Sequence, residues 1–308
     1  MAKFIKHLVW RLEVLAYDIV RLALSPLSLD KISALFGRIF QWIGPKTSKH
    51  HIAKTGMRLA FPDADDVQIE AWLSESWNRM GRTFGEFPFL GRIRVFDENS
   101  RVEVVGLERL EQLKKDGQAA VLISGHFANW EIMAAVFSQA KLPVHVTYRP
   151  TNNPYFDKRI RQQRARYGIE LMVAKSGAKG AKELIHALRN GRSIALLNDQ
   201  KFNEGIEIPF FGVGAMTAPG PTRLAIKTGA PLVPMSVVRT QGANFRVTVH
   251  APIQLDKTDD RNADIRAGVI KVTTFVEDYI RQNPTDWFWV HRRWPKDLYR
   301  QAKVDKKT

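Results

Sequence analysis

The sequence predicts an α/β protein: a mainly parallel, mixed sheet flanked by helices and preceded by an amphipathic helical segment. Two observations carry that fold class. Between residues 100 and 250, short runs rich in Val, Ile and Leu alternate with segments of helical length, as in a sheet covered on both faces. Ahead of them, Phe4, Leu8, Leu12, Leu15, Ile19 and Leu22 recur at steps of three and four, the period of one helix face. At 308 residues and 44% hydrophobic content, the chain has ample material for a core.

In chain order, residues 3–24 form the first expected helix, with Arg11 and Asp18 at the edge of its apolar stripe and Pro26 ending it. A second apolar stretch follows (Ile32, Leu35, Phe36, Ile39, Phe40, Trp42, Ile43), interrupted by Asp30, Lys31 and Arg38. No window reaches the roughly 18 uncharged apolar residues of a spanning helix. Both helices are therefore expected to lie in a membrane interface; the alternative is a helical hairpin packed on the core. No small-residue site for signal cleavage is present. Gly44, Pro45 and the basic run Lys46 to Lys54 predict a break. Ile69, Trp72, Leu73, Trp77, Met80 and Phe84 predict a helix with an apolar core face. Strands are expected at 102–105, 119–123, 144–148, 169–173, 194–197, 232–238 and 245–249. Helices are expected near 128–140, 154–166, 178–190, 217–229 and 264–282. The expected units are residues 1–45, membrane-associating helices; 46–100, a helical lead-in; and 101–308, the α/β domain.

Charge narrows the partners. Lys and Arg number 47 against 31 Asp and Glu, a net +16, which suits nucleic acid, an anionic membrane surface or an acidic protein. No nucleic-acid-binding motif is present, so nucleic acid is not expected. With no cysteine there is no thiol nucleophile, and no G-x-S-x-G elbow supplies a serine. Gly212-Val213-Gly214 lacks the third glycine of a dinucleotide fingerprint, Thr217 standing in its place. The eight histidines include neither H-E-x-x-H nor H-x3–5-H. No cofactor and no metal are expected.

The stretch VLISGHFANWE, Val121 to Glu131, organises the chain. A short buried strand ends at Ser124 and Gly125, and an apolar helix begins after Trp130. His126 and Glu131 thus stand where a strand ends and a helix begins, the place where open α/β sheets bind ligands. If His126 occupies the turn before the helix, the Glu131 carboxylate can hold the imidazole's tautomer while the other ring nitrogen takes a proton. A base without its own nucleophile suits activation of a substrate hydroxyl. The bland alternative is a surface pair or cap. Tyr148 and Arg149 end another strand and open onto the same edge. Arg159, Arg161, Arg164 and Arg166 crowd one helix; such a cluster is either a solvated face or a seat for phosphate, which guanidinium binds as a fork. Asp199 follows the strand 194–197, again at a strand's carboxyl end, where a turn former is the bland reading. His291, Arg292 and Arg293 either bind phosphate or cap the fold.

These stretches carry a resemblance. GHFANWE looks like the H-x4-D/E motif of the glycerolipid acyltransferase superfamily, and more closely like that of the bacterial late acyltransferases of lipid A biosynthesis. Tyr148-Arg149-Pro150, Asn153-Pro154, Asp199-Gln200, Pro209-Phe210-Phe211-Gly212, Thr217 and Trp289-Val290-His291-Arg292-Arg293 agree in order, over roughly residues 100–295. The resemblance implies a membrane-associated acyltransferase at the cytoplasmic face of a bacterial inner membrane. It implies acyl carrier protein as donor and a phosphorylated glycolipid precursor of lipid A as acceptor. Under it, His126, Glu131 and Asp199 are the catalytic candidates, with Glu131 orienting His126. Arg149, Arg164, Arg159 and Asn129 are the acceptor-binding candidates. Two alternatives stay open: a membrane acyltransferase acting on a glycerophosphate or another glycolipid such as an acylated mannoside, and a non-catalytic basic protein that binds membrane or nucleic acid.

Overall fold

A computed structural model describes residues 2–173 and 177–304. Four helices lead: α1 (Ala2–Leu24), α2 (Leu29–Ile43), α3 (Ser48–Ala60) and α4 (Asp66–Glu86). The α/β part then runs β1 (Val102–Val105), α5 (Leu107–Lys115), β2 (Val121–Ser124), α6 (Glu131–Gln139), β3 (Val144–Tyr148), α7 (Pro154–Arg166), β4 (Glu170–Val173), α8 (Gly177–Arg189) and β5 (Ser193–Leu197). It continues through the hairpin β6 (Lys201–Phe210) and β7 (Val213–Thr217) to α9 (Gly220–Thr228), β8 (Leu232–Arg239), β9 (Phe245–Val249), α10 (Arg261–Gln282) and α11 (Lys296–Val304).

Seven strands form one sheet in the order β1-β9-β8-β2-β5-β3-β4. All neighbours are parallel except β8 and β9, so the expected mainly parallel, mixed sheet is present. All seven expected strands occur in it. Central β2 is buried along its whole length. Its side chains alternate between faces, as pleating dictates. Leu122 belongs to the same core cluster as Ile132, Met133 and Val136 of α6, whereas Val121 and Ile123 belong to a second one with Leu188 of α8, Leu224 of α9 and Val272 of α10.

Two stretches differ from expectation. The basic run after Gly44 is not a simple break: a 3-10 turn, Gly44–Lys46, leads into α3. Ile52, Ala53, Met57 and Ala60 bury one face of α3, Lys49 stays exposed, and Lys54 pairs with Glu70 of α4. Gly44 is required there because a Cβ would sit 2.1 Å from the Trp77 ring. The hairpin β6–β7 has no counterpart in the expected elements. Phe211 and Gly212, at φ of +53° and +76°, form its two-residue turn, as a hairpin of this length demands. Phe211 tolerates that conformation because its ring is buried and its N–H reaches Glu277 Oε1 at 2.9 Å.

The N-terminal helices divide in role. Ile32 and Leu29 of α2 are buried, and Ser33 of α2 donates to the buried carboxylate of Glu86 in α4. Arg239 of β8 also binds Glu86, so α2, α4 and the sheet share one buried polar cluster. In contrast, α1 rests on α7 through polar groups: Glu13 accepts from Asn153, Asp18 pairs with Arg159, and Tyr17 donates to Gln163. Its apolar stripe faces outward, with Phe4 74%, Leu15 55% and Leu22 69% exposed. No helix among the described residues is long and apolar enough to cross a membrane.

Candidate active site

Sheet register builds the site. β2 and β5 are parallel neighbours, with Ser124 opposite Leu197. Two residues beyond each partner stand His126 and Asp199, so equal offsets from paired strand ends bring them side by side. The contact is complete: Asp199 Oδ1 accepts from His126 Nδ1 at 2.7 Å, and Oδ2 accepts from the His126 backbone N–H at 2.7 Å and from Trp287 Nε1 at 2.8 Å. Burial alone would raise the Asp199 carboxyl, but the imidazole and these donors outweigh it and lower it to about 2. An ionised carboxylate only accepts, so Nδ1 carries the imidazole proton and Nε2 keeps its lone pair. Gln200 Nε2 donates to that lone pair at 3.2 Å and lies 3.1 Å from His291 Nε2.

The turn that carries His126 is pinned from several sides. At Gly125 a Cβ would meet the Phe127 ring at 2.6 Å and Asp199 Oδ2 at 3.2 Å. Phe127 is fully buried and stacks on Tyr279, centroids 3.7 Å apart. Ala128 holds φ at +41°, its N–H donating to Asp286 O and its carbonyl accepting from Thr83 Oγ1. Strain of that kind persists only where surroundings over-determine it. Trp130 stands edge-on to His126 at 4.9 Å.

The expected His126–Glu131 pair is corrected. Glu131 opens α6 and reaches instead to α7, where it pairs with Arg164 through two contacts, Nε to Oε2 at 3.2 Å and Nη2 to Oε1. The helix start sends this side chain away from the turn, and Asp199, already against Nδ1, leaves no place for a second carboxylate there. The Arg164 guanidinium lies between the rings of Phe87 and Tyr148, 5.6 and 5.2 Å from their centroids.

The acceptor-binding candidates separate. Arg164 lines a cavity of about 230 Å3 together with His126, Trp130, Glu131, Tyr148 and Arg149; Leu122, Met133, Phe137, Val146 and Met235 are apolar parts of its lining. Arg149 is exposed at its rim. Asn129 does not face the cavity: it is fully buried and donates to Glu86 Oε2 at 2.8 Å. Arg159 is likewise turned away, paired with Asp18 of α1. Arg293 caps the fold, donating to Met216 O and to Thr217 Oγ1 beneath the hairpin, whereas His291 joins the site. Trp287 was not legible as a site residue, since nothing local marks it. Gln200 had only its place in the Asp199-Gln200 pair.

Among the described residues no group of His, Cys, Asp and Glu could hold a metal ion. The arrangement offers an oriented imidazole, an ion pair and an arginine at the mouth of an apolar cavity. The sequence model of bacterial lipid A biosynthesis acyltransferases matches residues 3–296. A lipid A biosynthesis acyltransferase of Haemophilus influenzae is 25% identical, the match covering 96% of this chain and 92% of that one. The lipid A biosynthesis myristoyltransferase of Escherichia coli is 24% identical over 87% and 82% of the two chains. A phosphatidylinositol mannoside acyltransferase of Mycobacterium tuberculosis is 27% identical over 73% and 69%. Matched by that model over nearly its whole length, the chain belongs to the bacterial lipid A biosynthesis acyltransferase family.

Proposed function

We propose that the chain transfers a fatty acyl group from the thioester of an acyl carrier protein to a hydroxyl of a phosphorylated lipid A precursor, with His126 as general base. The observation that carries this reading is the ionised Asp199 on Nδ1, which leaves the Nε2 lone pair at the cavity. His126 Nε2 takes the hydroxyl proton as the oxygen adds to the thioester carbonyl. The intermediate collapses with cleavage of the C–S bond, and the imidazolium returns its proton to the departing thiolate. Asp199 offsets the imidazolium charge throughout. Gln200 Nε2 occupies the position the acceptor hydroxyl must take, so the amide moves aside when acceptor binds. No covalent enzyme intermediate is invoked: the chain has no cysteine, and the nearby Ser124 hydroxyl donates to Met235 O rather than to His126.

Arg149 at the rim is the guanidinium open to an acceptor phosphate, while Arg164 and Glu131 act as a pair that fixes the cavity wall. The outward stripe of α1, with Leu35, Ile39, Trp42 and Ile43 exposed on α2, supports peripheral attachment at the cytoplasmic face of the inner membrane. The +16 charge suits both an anionic leaflet and an acidic carrier. The mannoside-acylating relative supports a second reading, in which another glycolipid is the acceptor. Mass spectrometry of lipid A from cells with and without the gene tests the first: loss of one acyl chain is expected. An unchanged lipid A, with a shortened glycolipid elsewhere, would favour the second.

A further inference from the structure

Helix α4 carries Arg79, Thr83 and Glu86 at steps of four and three, so the three side chains share one face. Each reaches the turn that carries His126, Arg79 doing so through Asp286. Arg79 Nη1 donates to Asp286 Oδ1 at 2.7 Å, and the Asp286 carbonyl accepts from the Ala128 N–H at 2.6 Å. Thr83 Oγ1 donates to the Ala128 carbonyl at 3.1 Å. Glu86 Oε2 accepts from Asn129 Nδ2 at 2.8 Å. One helix thus holds the N–H and the carbonyl of Ala128 and the side chain that follows. The helix is itself fixed, because Ser33 of α2 and Arg239 of β8 bind the same Glu86 carboxylate, and Arg239 Nη2 also reaches Thr83 Oγ1 at 3.4 Å. Thr83, Glu86 and Asn129 are all buried, so removing one of these bonds leaves a buried polar group without its partner.

We propose that Thr83 is a positioning residue for the reaction: its bond to the Ala128 carbonyl keeps the strained turn in place and so aims His126 Nε2. The inference rests on the proposed reaction. Ala128 needs such a hold, because its φ of +41° lies in the left-handed region that a residue with a Cβ avoids. Asp199 holds His126 itself, through Nδ1 and the backbone N–H. The carboxylate thereby decides which ring nitrogen carries the proton, while α4 decides where the ring stands. A general base must come within about 2.6–3.2 Å of the group it deprotonates, and a misplacement of about 1 Å can cost on the order of 10^2-fold. Of the three α4 residues, Thr83 is the one that can lose its bond without leaving a charge behind. Arg79 and Glu86 are each half of an ion pair whose other member would stay.

The test follows acyl transfer by the full chain in detergent micelles, from carrier thioester to lipid A precursor. Thr83→Val keeps the outline of the side chain and removes the hydroxyl. Its kcat should fall about tenfold or more through misplacement of the base, with KM for both substrates nearly unchanged, since binding groups are untouched. Thr83→Ala carries the same expectation and serves if Thr83→Val does not fold. Thr83→Ser, which retains the hydroxyl, should restore most of the rate. Ala128→Gly added to Thr83→Val should recover part of it, because glycine holds a positive φ without a Cβ penalty. Thr273 of α10 is the control: like Thr83 it is 4% exposed, but it donates to Val269 O within its own helix. Thr273→Val should keep the wild-type kcat. Unchanged kcat in both Thr83→Val and Thr83→Ala, an equal loss in Thr273→Val, a loss in KM instead of kcat, or no recovery with Ala128→Gly overturns the assignment. Wild-type protein that transfers no acyl group overturns the underlying reaction, a result distinct from the others.

Discussion

Replacing Asp199 by asparagine tests the site at its hinge. The carboxylate accepts three hydrogen bonds, two on Oδ2 and one on Oδ1. An amide has one acceptor oxygen. That oxygen must face the backbone N–H of His126 and Trp287 Nε1, because an NH2 there would confront two buried donors. The NH2 then faces Nδ1, which can only accept from it, so the imidazole proton moves to Nε2 and the lone pair needed at the cavity is lost. Inverting the tautomer of a catalytic histidine lowers kcat on the order of 10^4-fold, equivalent to ~5 kcal/mol of barrier. Purified variant, its fold checked by circular dichroism, would be followed in single-turnover acyl transfer from carrier thioester to lipid. Folded Asp199→Asn protein within about threefold of wild type would refute this reasoning. The pH dependence has a definite sign. Asp199 is lowered from 3.8 to about 2, so its contribution to stability is present above about pH 4 and is lost as pH falls through about 2.

Further outcomes are expected elsewhere in the molecule. His126→Ala should fold normally and lose 10^2-fold or more in kcat, on the order expected for a general base; the double variant with Asp199→Asn should be little slower, since the two act as a unit. Glu131→Gln should leave the His126 chemistry in place and raise KM through a disturbed Arg164, with a smaller loss of kcat than Asp199→Asn; an equal loss would restore Glu131 as the orienting group. Leu8, Leu15 and Leu22 changed together to glutamate should move the protein from membranes to the soluble fraction in a flotation assay, with an unchanged denaturation midpoint because all three side chains are exposed. Glu86→Gln should destabilise by about 3–5 kcal/mol in urea titration, the scale of leaving a buried charge unpaired, because Arg239 is only 7% exposed.

Much of the fold was determined by the sequence alone, for reasons that are local. Each strand of the sheet is a short run rich in apolar residues that is legible without its neighbours, and the stripe from Phe4 to Leu22 declares a helix by period. The importance of the His126 turn was equally local: Gly125 ends a strand and an apolar helix follows. What only the tertiary structure decided is which groups meet. Glu131 is five residues from His126 and belongs to Arg164. Asp199 is 73 residues away and belongs to His126, because β2 and β5 are neighbours and both residues lie two past a paired position. Strand order is a property of the whole chain, and it chose the carboxylate. The same holds for Trp287, brought to Asp199 by a late segment with no periodic signal of its own. It holds also for Asn129 and Arg159, acceptor-binding candidates under the resemblance, whose partners are Glu86 and Asp18. Nor does the period of α1 say which face turns inward. That was settled by Asn153, Arg159 and Gln163 of the α7 region, which bind its polar side and leave Leu8, Leu12, Leu15 and Leu22 outside.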